Sequence, residues 1–320
     1  MPPRTHANAK KTLLDRRAAV LPLAIALLLA AGGPTIELHR GLPAGWFGQT
    51  EAATRNFLWK ATSRQGVVYL VGSVHLLTKD YYPLSPALDD AYKDSDLLVE
   101  EVDMGEMLAP DAQMQIAMRG MLPAGQSLEK VVTPATMTLV TKTVADLGVS
   151  VEPLKQFKPW MLALYLLGLE WQKAGFDADL GLDKHFYDRA KTDGKHVQAL
   201  ETLEYQIARF DEMPMDQQDH LLSESLKELG TEQASVIALA DAWKAGDAPA
   251  VERIVLQDVE DDPAMYQRLL VDRNRNWLPV IDALLSGPAH AFVVVGAAHL
   301  IGPDGLLQML KAKGYAVEQM

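Results

Sequence analysis

Residues Val67–Leu77 read VVYLVGSVHLL: an apolar run from Val67 to Val71, broken by Gly72, with His75 three places past the break. An uninterrupted apolar run rich in β-branched residues predicts a strand buried on both faces. Glycine permits the sharp exit from that strand that a side chain hinders. The same design recurs near the other end of the chain, where Ala291–Ile301 read AFVVVGAAHLI. The two segments agree at Val71/Val295, Gly72/Gly296, His75/His299 and Leu76/Leu300. Each histidine is therefore expected just beyond the carboxyl end of a buried strand, where open α/β sheets bind their ligands.

Working outward, Phe57-Leu58-Trp59-Lys60 and the turn Ser63–Gly66 form a hairpin with the first run. Ser85-Pro86 pairs a helix cap with proline at the first helical position, and the helix runs to about Tyr92. Asp96–Glu101 then reads as a second buried strand, so strand, helix and strand make a βαβ unit with a parallel pair. Alternation along that strand sends Glu100 and Glu101 to opposite faces. From Met104 to about Ala190 the pattern is helical, with Leu162, Leu166 and Leu169 on one face and methionine as core filler. A helix from about Asp183 to Thr192 ends at Gly194, and Lys195–Leu200 is a third strand closed by Glu201. Polar amphipathic helices follow to about Asn276, and a helix near Gly305–Lys313 precedes a last strand, Tyr315–Val317. The expected class is α/β, with a central mixed sheet, flanking helices and a long helical insertion at about 104–290, interrupted by a strand near 195–201.

The N-terminus has the layout of a targeting segment. Arg4, Lys10, Lys11, Arg16 and Arg17 precede the apolar run Ala18–Ala31, closed by Gly32-Gly33-Pro34. About fourteen residues fit a signal core and fall short of the roughly 20 that span a bilayer. No Ala-x-Ala cleavage site follows, so residues 1–34 read as a signal peptide or an uncleaved anchor, 35–55 as a linker and 56–320 as the folded domain. Either reading places that domain in the periplasm or outside the cell.

Composition narrows the chemistry. A chain of 320 residues, 48% apolar, can bury a substantial core. The net charge is −12 and no basic cluster occurs beyond the N-terminus, which excludes a nucleic-acid groove. Cysteine is absent, which excludes disulfides, thiolate metal sites and a cysteine nucleophile. Any metal must be held by His, Asp or Glu.

One buried histidine is commonly a hydrogen-bonded core residue. Two in the same strand-end setting, with Glu101 ending a third strand, make an open metal set of two imidazoles and a carboxylate, able to activate water. Glu201 has three readings: general base, fourth ligand, or carboxylate at a helix N-terminus. Arg273 and Asn274 either orient a substrate or belong to a solvated helix face, and Asp183 reads as the cap of its own helix. His185, His196, His220 and His290 show no ligand spacing.

These residues resemble the TraB/GumN family, which includes the Tiki-type metalloproteases. The matching stretches are Gly72-Ser73-Val74-His75, Tyr82-Pro83-Leu84 with Ala87 and Ala91, Ser95-Asp96, and Glu101-Val102-Asp103. Further along they are Lys158-Pro159-Trp160, Gly181-Leu182-Asp183, Leu200-Glu201-Thr202, Arg273-Asn274 and Gly296-Ala297-Ala298-His299. The likeness covers about residues 57–318 and is nearest in layout to bacterial GumN-like members. The second motif departs from the family in carrying Ala298 where glycine often precedes the histidine. The resemblance implies an erythromycin-esterase/ChaN-like (Tiki) fold and a site of His75, Glu101 and His299, with Glu201 and Arg273 nearby. It implies a divalent-metal-dependent hydrolase acting on a peptide or small-molecule substrate; His and carboxylate ligands suit zinc, manganese, cobalt or iron, and the N-terminal segment places the protein in the cell envelope. The competing expectation is a non-catalytic envelope protein that binds a small ligand or haem, or assists surface-polysaccharide production. Membrane contact is expected only through an uncleaved N-terminal segment.

Overall fold

Ser63 folds the chain back on itself: its hydroxyl accepts the Gln65 and Gly66 amides at 2.9 Å each. This turn lays Leu58–Thr62 (β1) antiparallel to Val67–Ser73 (β2). The computed structural model describes residues 55–229, 233–256 and 262–320. The expected targeting segment and the expected linker, up to residue 54, lie outside the described residues.

Four further strands complete one sheet: Leu97–Glu100 (β3), His196–Ala199 (β4), His290–Gly296 (β5) and Ala316–Gln319 (β6). Their order is β4-β3-β5-β2-β1-β6. β2, β5, β3 and β4 run parallel, whereas β1 is antiparallel to both its neighbours. The sheet is therefore mixed, as its sequence pattern suggests. β2 and β5 are buried from their second residue onward, in keeping with their unbroken apolar runs.

Two details differ from the sequence reading. β2 and β3 are parallel but do not pair, because β5, contributed from the far end of the chain, lies between them. The twin motifs are also offset in the sheet. Ser73, not Gly72, stands beside Gly296, so the two glycines project toward opposite faces.

Helices cover the sheet. Pro86–Lys93, capped by the Ser85 hydroxyl on the Ala87 amide, links β2 to β3. Pro159–Lys173 is apolar around its circumference and is correspondingly buried, with Trp160, Leu162, Leu166 and Trp171 at the centre of the core. Leu182–Asp193 leads into β4, and Asp272–Ser286, preceded by a π-helical turn at Gln267–Val271, leads into β5. Among the described residues no helix is long and apolar enough to cross a membrane.

Candidate functional site

Four neighbouring parallel strands deliver a candidate residue at their carboxyl ends: His75 after β2, His299 after β5, Glu101 after β3 and Glu201 after β4. All four are at the buried end of the scale or close to it, and His299 is wholly inaccessible. The two Gly-x-x-His segments reach this place by different routes. His75 sits in an irregular loop, whereas His299 lies in a single helical turn, Ala297–Leu300.

The imidazoles are each anchored at Nδ1. His75 Nδ1 is 2.8 Å from Asp183 Oδ2, an oxygen that also accepts the Ser73 hydroxyl. His299 Nδ1 is 2.7 Å from Asn274 Oδ1. The Asn274 amide nitrogen donates to the His299 and Asp304 carbonyls, at 3.2 and 2.9 Å, which fixes its oxygen toward the ring. His299 therefore carries its proton on Nδ1 and presents Nε2 as a lone pair.

Arg273 sits among the site residues. Its Nη2 donates to Glu101 Oε2 at 2.5 Å and to Glu201 Oε1 at 2.7 Å. Its Nη1 lies 3.0 Å from His299 Nε2 and 3.3 Å from the Leu269 carbonyl oxygen, and its Nε donates to both Glu201 oxygens. A guanidinium has five N–H groups, and all five are engaged. Arg273 is thus the internal counter-ion of two buried carboxylates, and this arrangement leaves it no donor for a substrate. Glu201 is equally committed, because Trp277 Nε1 donates to its Oε2 at 2.9 Å. Glu101 Oε1 accepts the Gly296 amide at 2.7 Å, and Gln206 donates to Oε2 at 3.1 Å.

The electrostatics follow from these contacts. Burial opposes ionisation of Glu101, yet Arg273 and then the histidines hold its pKa near 2. For Glu201 burial outweighs Arg273, and its pKa is raised. Burial, then the Arg273 charge, keeps His299 well below the usual histidine range, so it is neutral. At His75 burial alone would lower the pKa, but the Asp183 carboxylate prevails and lifts it to about 9. His75 Nε2 has no hydrogen-bond partner although it is buried.

The sequence pattern marks Asp183 as a helix cap. The cap is Gly181, and Asp183 lies two positions further in, turned toward His75. A Cβ on Gly181 would overlap the His75 carbonyl, so only glycine lets this helix press against that loop. Asn274, expected to face a substrate or solvent, instead holds His299. Trp277, four residues beyond Arg273 and so on the same helix face, is a site residue that the sequence does not single out. Strand alternation puts Glu100 opposite Glu101, yet both line one cleft, because the strand ends at Glu100 and its alternation stops there.

The twin glycines serve different ends. A Cβ on Gly72 would overlap the Phe57 ring, which is buried in the core. A Cβ on Gly296 would lie 3.0 Å from His75 Nε2 and 3.3 Å from Glu101 Oε1, inside the site. Gly72→Ala is therefore expected to cost about 1–3 kcal/mol of stability by overpacking. Gly296→Ala is expected to cost less and to disturb the site instead. Denaturant midpoints with unchanged slopes measure the first effect. Equal midpoints for the two variants would contradict the assignment.

A family model described as the TraB/PrgY/gumN family matches residues 57–319. The chain belongs to this family. The TraB/PrgY/gumN match spans every strand and every site residue described above. The chain is 29% identical over 243 residues to the uncharacterized protein YbaP of Escherichia coli (strain K12), covering 76% of this chain and 87% of that protein. The uncharacterized protein YbaP of Shigella flexneri is similar to the same extent. No solved structure matches the chain.

As a metal centre the site fits in donor type. Two imidazoles held at Nδ1, with Nε2 left toward the interior, are the usual support for metal-binding histidines. The orphaned His75 Nε2 and Glu101 Oε1 converge on the space that Gly296 leaves open. His299 Nε2, 3.9 Å from Glu101 Oε1, faces Arg273 Nη1. Among the described residues no group of three His, Asp or Glu side chains stands at metal-holding distances. A metal held by all three residues requires Arg273 to release His299.

Proposed function

We propose that this protein is a metal-dependent hydrolase of the cell envelope that cleaves peptide or other amide bonds. The observation that carries the reading is the pair of histidines fixed at Nδ1, one with a buried and unpartnered Nε2, at the carboxyl edge of four parallel strands. Ligands at such an edge are the rule for open α/β sheets. The metal-binding residues are His75, Glu101 and His299, and the ion is divalent zinc, manganese or cobalt. Bound there, it supplies a water whose pKa is lowered toward neutrality. Asp183 holds the His75 ring so that Nε2 faces the cleft, and Asn274 does the same for His299. The Gly296 amide and Gln206 set the plane of the Glu101 carboxylate. Glu201 and Arg273 act as a positioning pair, since their hydrogen-bonding groups are spent on one another, on Trp277 and on Glu101.

The mixed sheet and its covering helices are compatible with an erythromycin-esterase/ChaN-like (Tiki) fold, which we adopt as part of this proposal. The basic and apolar N-terminal segment supports a location in the periplasm or outside the cell. The test is digestion of a defined peptide mixture by the purified chain, followed by mass spectrometry. Cleavage is expected to stop with chelator, to return with zinc, manganese or cobalt, and to vanish in Glu101→Gln. Cleavage indifferent to chelator, or retained by Glu101→Gln, overturns the reading.

A further inference from the structure

Three methionines stand outside the core, where that residue type ordinarily fills gaps. Met114, Met118 and Met121 are 65, 69 and 38% exposed, and they are three of the five large apolar side chains that face solvent among the described residues. The helix Pro110–Arg119 turns Ala112 and Ile116 to the core, so its inner face is aliphatic and its thioethers point outward. Met114 and Met118, four residues apart, are neighbours on one helix face. Gly120 keeps helical dihedrals, and the Met121 amide donates to the Met118 carbonyl at 3.3 Å, so the turn continues and Met121 stays on that face. An antiparallel bridge to Phe157 holds it there. From Met114 to Met121 the helical rise is about 10 Å, and unbranched side chains with three rotatable bonds can converge on the middle position from both ends. Leucine or isoleucine would serve equally well for apolar contact; what these three side chains add is a soft sulfur lone pair. The neighbouring cation is turned away, since Arg119 Nε bonds Asp211 at 3.2 Å and its Nη1 lies 3.9 Å from Glu204. No cysteine in the chain offers a competing thiolate, and a net charge of −12 favours the approach of cations.

We infer that Met114, Met118 and Met121 form a surface site for a soft monovalent cation, copper(I) or silver(I), held by their three thioether sulfurs. Thioethers are neutral and polarizable, and they select copper(I) over the harder divalent ions that imidazole and carboxylate ligands hold. The site shares no residue with the histidine centre at the strand ends. It goes beyond the proposed function, and each can fail without the other.

The test is NMR of the full chain carrying carbon-13 methyl methionine, titrated with silver(I) in chloride-free buffer and, without oxygen, with copper(I). Single Met→Leu variants assign the signals; at exposed positions the change leaves the fold intact, because leucine keeps the bulk and loses only the sulfur. The methyl signals of Met114, Met118 and Met121 are expected to move together and to saturate at one equivalent, while those of the buried Met161 and Met265 stay in place. Each single variant is expected to bind silver(I) at least about tenfold more weakly, since losing even an outer partner of a metal site costs that much. His75→Ala is expected to keep the full response, and excess zinc is expected not to reverse it. The inference is overturned if the three signals move independently or need several equivalents to saturate. It is equally overturned if the leucine variants bind as tightly as the parent, which would mark the face as a surface for apolar contact, or if the response is lost in His75→Ala or reversed by zinc. None of these results bears on whether the strand-end centre binds a divalent ion.

Discussion

Replacing Arg273 with methionine is expected to cost the metal-free protein about 3–5 kcal/mol, the usual penalty for stripping one partner from a buried ion pair. One guanidinium serves both Glu101 and Glu201, and its Nη1 faces the Nε2 of a neutral His299, in a place where Arg273 itself is 4% exposed. Without it the carboxylates of two adjacent strand ends face each other with no cation from this helix. Zinc, manganese or cobalt is expected to restore much of the loss, since the ion takes up Glu101 and His299 once Arg273 no longer occupies them. Thermal melts with and without metal measure both effects. A variant as stable as the parent would contradict the counter-ion role. A metal-induced rise in Tm no larger in the variant than in the parent would contradict the competition.

Asp183→Ala is expected to weaken metal binding by about 10–100-fold, the range typical when the partner of a ligating histidine is lost. Asp183 fixes His75 and is itself fixed by the Ser73 hydroxyl, so its removal frees the ring and leaves Nδ1 without an acceptor. Asp183→Asn is the informative companion. The protein already uses an amide, Asn274, to hold His299, so the asparagine variant is expected to recover most of the lost affinity. Calorimetric titration with cobalt or zinc checks this. Equal damage from both substitutions would show that the charge of Asp183, not its placement of the ring, is what matters.

Much of this arrangement is legible in the amino-acid sequence. The apolar run Val67–Val71 and its twin near the C-terminus read as buried strands because they are short, rich in β-branched residues and ended by glycine. Glu101 and Glu201 come directly after short β-rich runs, and parallel strands that end on one edge of a sheet bring their next residues together there. Hidden from that reading is everything that depends on distant residues meeting. His75 and Asp183 are 108 positions apart, and nothing local to Asp183 distinguishes a partner of His75 from a helix cap. The insertion of β5 between β2 and β3 depends on which strand fills the central place, a choice that hydrophobic pattern does not encode. Arg273 lies in a charged helical stretch, where the residues alone do not separate a substrate-orienting role from a solvated face. Its burial emerges only once two carboxylates from other strands are seen to need a cation. The offset of one residue between the twin motifs has the same origin, since register belongs to the pair of strands and not to either alone.

Metal content, by elemental analysis of the purified chain dialysed against zinc, manganese or cobalt, decides whether His75, Glu101 and His299 hold an ion. One equivalent of divalent ion per chain is expected, removable by chelator and absent from His75→Ala under the same conditions. A parent protein that retains no stoichiometric ion, or a His75→Ala variant that retains as much as the parent, would show that these strand ends are not a metal centre.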